Sequence, residues 1–319
     1  MPLRSLAWLT ALLAALFLAA PAHAGCTPSS GLLTFTPASS YDVRATAVPT
    51  VSGSAGLACT GAALGLLNRT RAVATVTSLN GFTLVGPTGD AIQYRVSPDA
   101  AQKLSFNETP TIDYASDTLL SLLGLLGATS FTAPLHARPI AAANVAAGNY
   151  DDTLTINWDY EVCNGVQLLS LVCVGWEARK VTVTVAVRLV VGNDCRITAP
   201  DVQFGTAALV EQFATQSAAV MTDCTKGTAY RVAFTAGNTQ GSRPWRAMTG
   251  PGGATLQYNL YRPDGVTIWD ESNPQPAERL GTGSQTPVQA HGFVARINPA
   301  QPPRAPGSYS DDVSVVISF

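Results

Sequence analysis

Lys180-Val-Thr-Val-Thr-Val-Ala-Val-Arg-Leu-Val-Val191 sets Val181, Val183, Val185, Val187, Leu189 and Val191 on one face of an extended chain, because strand side chains alternate between faces. A strand so strictly two-sided needs a core against its apolar face. Just before it, Cys163 and Cys173 enclose Asn164-Gly-Val-Gln-Leu-Leu-Ser-Leu-Val172, which reads as a small loop closed by a disulfide. Before that, Thr153-Leu-Thr-Ile-Asn-Trp-Asp-Tyr160 is a second alternating run. Just after the quoted strand comes Cys195, and there the sequence begins again.

The repeat shows in four landmarks. Cys26 precedes Cys59 by 33 residues, and Cys195 precedes Cys224 by 29. Tyr94 follows Cys59 by 35, and Tyr258 follows Cys224 by 34. Tyr150 lies 56 beyond Tyr94, and Tyr309 lies 51 beyond Tyr258. Order and near-equal spacing make these two copies of one domain, roughly 25–160 and 195–319. The repeat therefore pairs Cys26 with Cys59 and Cys195 with Cys224, which leaves Cys163 with Cys173. Alternating runs at 74–79, 92–96, 230–236, 256–261 and 312–319 are strands, separated by turns such as Gly86-Pro-Thr-Gly-Asp90 and Gly250-Pro-Gly-Gly-Ala254. Short strands at such intervals predict an all-β chain of two antiparallel sandwiches in tandem. Residues 207–219 are the one stretch with helical character, and a loop or short helix is expected there.

The copies differ where the quoted strand falls. The second ends with Asp312-Val-Ser-Val-Val-Ile-Ser-Phe319, and its counterpart in the first ends near Tyr160 before the chain continues into Lys180–Val191. That extra strand is expected to close the first sandwich in cis. The second, without one, is expected to expose a groove and a sheet edge along Val313, Val315, Ile317 and Phe319. An uncovered edge invites pairing with another chain.

Composition narrows the function. Nineteen basic and 21 acidic residues leave a formal charge of −2, with only 13% of residues charged, so no nucleic-acid footprint is present. Of three histidines, only His136 and His291 lie outside residues 1–24. Those 24 residues carry Arg4, an apolar run from Leu6 to Ala20, and the small-x-small site Ala22-His23-Ala24, the pattern of a cleaved export signal. An exported protein with an even cysteine count is expected to hold them as disulfides. The paired acids Asp151-Asp152 and Asp311-Asp312 sit at matching repeat positions and read as structural. No nucleophile elbow, P-loop or metal-spaced histidine set is present. No catalytic residue, metal or cofactor is assigned, and an enzyme is not expected.

The second copy resembles the spore-coat-U domain of archaic chaperone-usher pilins. The residues that carry this are Cys195-Arg-Ile197, Val202-Gln-Phe-Gly205, Asp223-Cys-Thr-Lys-Gly227, Met248-Thr-Gly-Pro-Gly-Gly253, Leu256-Gln-Tyr-Asn-Leu-Tyr261, Trp269, Gly281-Thr-Gly283 and Pro306-Gly-Ser-Tyr-Ser-Asp-Asp-Val313. The first copy resembles it more faintly, without the Phe-Gly and Cys-Thr-Lys-Gly forms. The resemblance implies immunoglobulin-like, pilin-type sandwiches, the second completed by a strand from an adjacent pilin subunit. It also implies a periplasmic chaperone and an outer-membrane usher as partners. A shaft subunit would carry a donor extension before its first cysteine, but cleavage after Ala24 leaves only Gly25 there. The expectation is a subunit that accepts and does not donate, placed at the pilus tip on the cell surface. Its domains are 1–24 (signal), 25–192 (tip, or adhesin) and 193–319 (pilin).

Three leucine-rich segments of the first copy are candidates for surface binding: Leu64, Leu66 and Leu67; Leu119, Leu120, Leu122, Leu123, Leu125 and Leu126; and Val166, Leu168, Leu169, Leu171 and Val172. In Asp117–Gly127 small residues recur at every third position, a period that fits neither strand nor helix. Exposed, such segments would form hydrophobic fingers for attachment to a hydrophobic or host surface and for biofilm formation; buried, they fill the core. A structural subunit that binds nothing and a carbohydrate-binding tip are the alternatives.

Overall fold

Alternation becomes strand wherever both faces of the chain find a use. The computed structural model describes residues 25–60, 70–125, 130–168, 172–238, 244–284 and 288–319, and the expected export signal lies outside them. In the first repeat the strands are β1 (Gly25–Pro28), β2 (Gly31–Thr34), β3 (Ala38–Ser39), β4 (Val51–Thr60), β5 (Arg71–Ser78), β6 (Thr83–Val85), β7 (Ala91–Ser97), β8 (Thr111–Asp113), β9 (Ser130–Pro139), β10 (Gly148–Leu168) and β11 (Val172–Gly192). Two short helices join them, α1 (Ser40–Arg44) and α2 (Asp117–Leu123). The second repeat supplies β12 (Cys195–Thr198), β13 (Gln216–Cys224), β14 (Arg231–Phe234), β15 (Arg246–Thr249), β16 (Thr255–Tyr261), β17 (Gln275–Pro276), β18 (Gln289–Ile297) and β19 (Val315–Ser318).

The first eleven strands form one curled sheet, ordered β1-β4-β9-β7-β6-β10-β11-β2, with β3, β5 and β8 attached at its flanks. Its concave side encloses a core that includes Phe35, Tyr94, Phe106, Tyr114, Tyr150 and Trp158. The second repeat splits its strands between β12-β13-β18-β16-β15 and β17-β14-β19, closed on Phe234, Trp269 and Phe293. The chain is mostly β. Cys26 faces Cys59 in the β1–β4 register and Cys195 faces Cys224 in β12–β13, each pair bonded, as are Cys163 and Cys173.

The two copies share more than their cysteines. Tyr94 donates its hydroxyl to Asp152 Oδ2 at 2.6 Å, and Tyr258 does the same to Asp311 Oδ2 at 2.6 Å. Burial, and then the neighbouring carboxylate, holds each phenol well above its usual range. Ser78 and the Asn80 amide complete Asp152, and the Asn238 amide meets Asp311. These acids are structural pins at the mouth of a strand. Gly86 and Gly250 make room for the same tyrosine: a Cβ at either would lie 2.4 Å from the ring of Tyr150 or Tyr309.

Four local readings need correction. Residues 117–123 are α-helical, ended by Gly124 in the left-handed region at φ 67°. Cys163–Leu168 and Val172–Cys173 are strand rather than loop, since β10 runs on to Leu168 and β11 starts at Val172. Residues 207–215 are a loop with one short 3-10 turn, Val210–Gln212, as expected, but 216–219 already belong to β13. The sheet is not wholly antiparallel either, for β11 runs parallel to β2 and β3.

Candidate strand-acceptor site

β11 shows what a complete slot looks like. It lies between β10 and β2, antiparallel to the first and parallel to the second. Its register places Val181 opposite Trp158, Val183 opposite Ile156, Val185 opposite Leu154 and Leu189 opposite Tyr150. Val183, Val185, Val187, Leu189 and Val191 are buried, and Val181 packs at the margin of the core. Their apolar partners on β10, Tyr150, Leu154, Ile156 and Trp158, are buried to the same degree. On the far wall Leu33 and Phe35, seven and nine residues past Cys26, are each 1% exposed. The outer face of β11 is polar, with Thr182 donating to Asn157 and Arg188 paired with Asp151. Each apolar side chain so buried contributes roughly 1.5–3 kcal/mol.

In the second repeat the matching last strand is paired along one edge among the described residues. Asp311 matches Asp152 through its tyrosine, so Val313, Val315, Ile317 and Phe319 stand where Leu154, Ile156, Trp158 and Tyr160 stand in the first repeat. β19 pairs with β14 along one edge, Val315 opposite Phe234 and Ile317 opposite Val232. Among the described residues no strand lies on its other edge. Val313, Val315 and Ile317 are only half-buried although they touch the core, and Phe319, past the end of β19, is 61% exposed. Val202 and Phe204, seven and nine residues past Cys195 as Leu33 and Phe35 are past Cys26, pack on the same core and are also half-buried. Sequence reading did not single out this pair; its signal was the shared offset from the first cysteine of each copy.

The core beneath β19 is tied together by aromatic and polar contacts. Trp269 donates its indole N–H to the Val232 carbonyl at 2.7 Å, and Phe234 packs edge-on against Trp269 and Phe293. Buried Arg246 donates to the carbonyls of Phe234, Thr235 and Trp269, which keeps its charge solvated by the protein. Among the described residues no three His, Cys, Asp or Glu side chains gather as metal ligands would.

The leucine segments separate. Leu119 and Leu120 are fully buried, which overturns them as surface-binding residues: in a helix packed on the core, their side chains fall on the inner face. Leu122, Leu123 and Leu125 are partly buried against the same core. Val166, Leu168 and Val172 lie on the outer end of the β10–β11 hairpin, past Glu161, the last β10 residue paired with β5. Leu64, Leu66, Leu67, Leu126, Leu169 and Leu171 lie outside the described residues.

The Spore Coat Protein U domain model matches the chain twice, over residues 11–157 and 181–316. No curated protein sequence matches it. Among solved structures, it resembles a chain from the chaperone–tip adhesion subunit pre-assembly complex, CsuC–CsuE, of the archaic chaperone-usher Csu pili of Acinetobacter baumannii. That match has a TM-score of 0.63 at 22% identity and covers 92% of this chain and 100% of the other. The likeness concerns fold. The CupB6 tip adhesin of Pseudomonas aeruginosa aligns over 92% of this chain and 94% of its own, at 12% identity and a TM-score of 0.30, too loose to carry weight.

Proposed function

The chain belongs to the Spore Coat Protein U domain family, and from that premise we propose that it is the tip adhesin subunit of a chaperone-usher pilus. In this reading the second repeat takes a strand from an adjacent pilin subunit, with main-chain hydrogen bonds supplying affinity and alternate side chains filling pockets. A periplasmic chaperone guards the slot until an outer-membrane usher places the subunit at the pilus tip on the cell surface. The observation that carries the reading is the contrast between β10, paired on both edges, and β19, paired on one. The Acinetobacter protein of like fold is a tip adhesion subunit held with its chaperone, and both roles are carried over here.

Attachment and biofilm formation are assigned to the first repeat. Leu122, Leu123, Leu125 and Leu126 follow the buried turn of α2. With Leu64, Leu66 and Leu67, with Val166, Leu168 and Val172 of the hairpin, and with Leu169 and Leu171, they make the proposed hydrophobic contact with a surface. Many weak apolar contacts on many fibres would give firm adhesion by avidity.

Two experiments test this. A second Lys180–Val191 segment is fused after Phe319 through a short Gly-rich linker. It should raise the melting temperature and remove the need for a chaperone, while a fused segment with Asp at its two central valines should do neither. Equal behaviour of the two fusions contradicts strand acceptance. For adhesion, Leu122, Leu123 and Leu125 are changed together to Ser, and adsorption to polystyrene is measured beside a thermal melt. Lost adsorption with an unchanged melt supports the fingers; a collapsed melt makes these leucines core.

A further inference from the structure

The two repeats meet across a surface that uses the second repeat's own landmark residues. β11 runs into β12 with only Asn193 and Asp194 between them. Beside that link α1 presents Tyr41, which is 6% exposed. Its hydroxyl donates to the Asp223 backbone carbonyl at 2.6 Å and lies 2.9 Å from Asp223 Oδ2. The Arg196 guanidinium sits 4.5 Å from the centre of the Tyr41 ring. Ser40 and Thr225 share a hydroxyl bond of 2.8 Å, and Arg44 donates to the Gly283 carbonyl.

Other parts of the first repeat extend the contact. Lys226 pairs with Asp90, whose carboxyl is held below its usual range by hydrogen bonds from Lys226, the Ala146 amide and Thr88 that outweigh its burial. Asn144 Nδ2 donates to the Thr282 carbonyl at 2.9 Å, and Ala146 bridges to Lys226 in parallel register. Asp223 is itself pinned, accepting from Thr282 Oγ1 at 2.9 Å and from the Ser284 amide at 3.1 Å. Gly283 has φ 61°, and a Cβ there would lie 2.3 Å from Asn144 Oδ1, so the close approach requires glycine. Around Cys59 of the first repeat Thr60 matches Thr225, but Ala58 stands in the place of Asp223.

We infer that Arg196, Asp223, Thr225, Lys226, Thr282 and Gly283 form a docking surface on the second repeat whose partner is the first repeat, read through the Tyr41 helix and the acidic Asp90 loop beside it. The surface holds the two halves in one orientation, so the two-residue link does not act as a hinge. Force applied to the second half then reaches the first along a fixed direction. This holds whether or not the second half accepts a strand, and its failure would leave the proposed function standing.

The test uses the full chain with two keto-amino-acid spin labels, at Leu79 in the first half and Val266 in the second. These side chains are 78% and 79% exposed. Pulsed dipolar spectroscopy of the labelled parent should give one narrow distance distribution, and Tyr41→Ala should broaden it severalfold. A parent as broad as the variant, or a variant as narrow as the parent, overturns the inference. Should Tyr41→Ala not fold, the rim variant Arg44→Ser with Lys226→Ser is measured instead, and the same two results decide.

Discussion

Ile156 and Val315 hold the same place in the two repeats and live in different surroundings. Ile156 sits on a strand with neighbours on both edges, opposite Val76 on one side and Val183 on the other, and is fully buried. Val315 has Phe234 on one side and no strand on the other among the described residues, and is half-buried. The flanking architecture is otherwise shared: the same disulfide, the same tyrosine–aspartate pin, the same glycine beneath a tyrosine. Among the described residues one strand therefore separates a strand paired on both edges from one paired on a single edge, and its apolar face carries enough burial energy to matter at the scale of a whole domain's stability.

The sharpest way to break this comparison is to place a charge at both positions. Ile156→Asp buries an unpaired carboxylate and should cost more than about 4 kcal/mol, enough to unfold the first repeat. Val315→Asp should cost about 1 kcal/mol in the free chain, because the new charge can reach water through the open edge. Urea denaturation of each variant measures the difference, and equal costs would mean the second slot is already closed.

A smaller effect tests what the copies share. Tyr94→Phe and Tyr258→Phe each remove a hydroxyl donated to a carboxylate, and each should cost about 1.5–3 kcal/mol. Similar losses in the two repeats would confine their difference to the slot; a loss in Tyr94→Phe alone would show that the second repeat is generally looser.

The smallest effect is that of pH. Burial lowers the folded-state pKa of His291 below its ordinary 6.5, with only a weak opposing pull from Glu278, and it lowers His136 likewise against Asp99. The unfolded chain then binds protons that the folded chain resists. Stability is full above about pH 6.5 and declines as pH falls below it. His291→Gln should flatten that decline for the second repeat alone, as followed by melts across pH; an unchanged slope would assign it to other groups.

Much of the fold was legible because strands write their faces into the sequence. Val181 to Val191, the four repeat landmarks and the cysteine pairing all followed from alternation and spacing. Helix α2 did not, because leucines at 119, 120, 122 and 123 crowd both faces, although Gly124 after the last of them is a helix-stop signal. Burial of Leu119 and Leu120 depends on that helix and was lost with it. The reach of β10 and β11 past Tyr160 was hidden because Asn164-Gly165 reads as a turn, while a register shift between Cys163 and Val166 lets the ladder continue. The contact of Tyr41 with Asp223 spans 182 residues and leaves no local trace at all.

Amide hydrogen exchange on the unmodified chain tests the central claim most directly, by comparing 313–318 with 153–160 in the same sample. The account predicts fast exchange along the free edge of β19, strong protection throughout β10, and protection of β19 when a Lys180–Val191 peptide is added. Equal protection of the two segments before any peptide is added would contradict it.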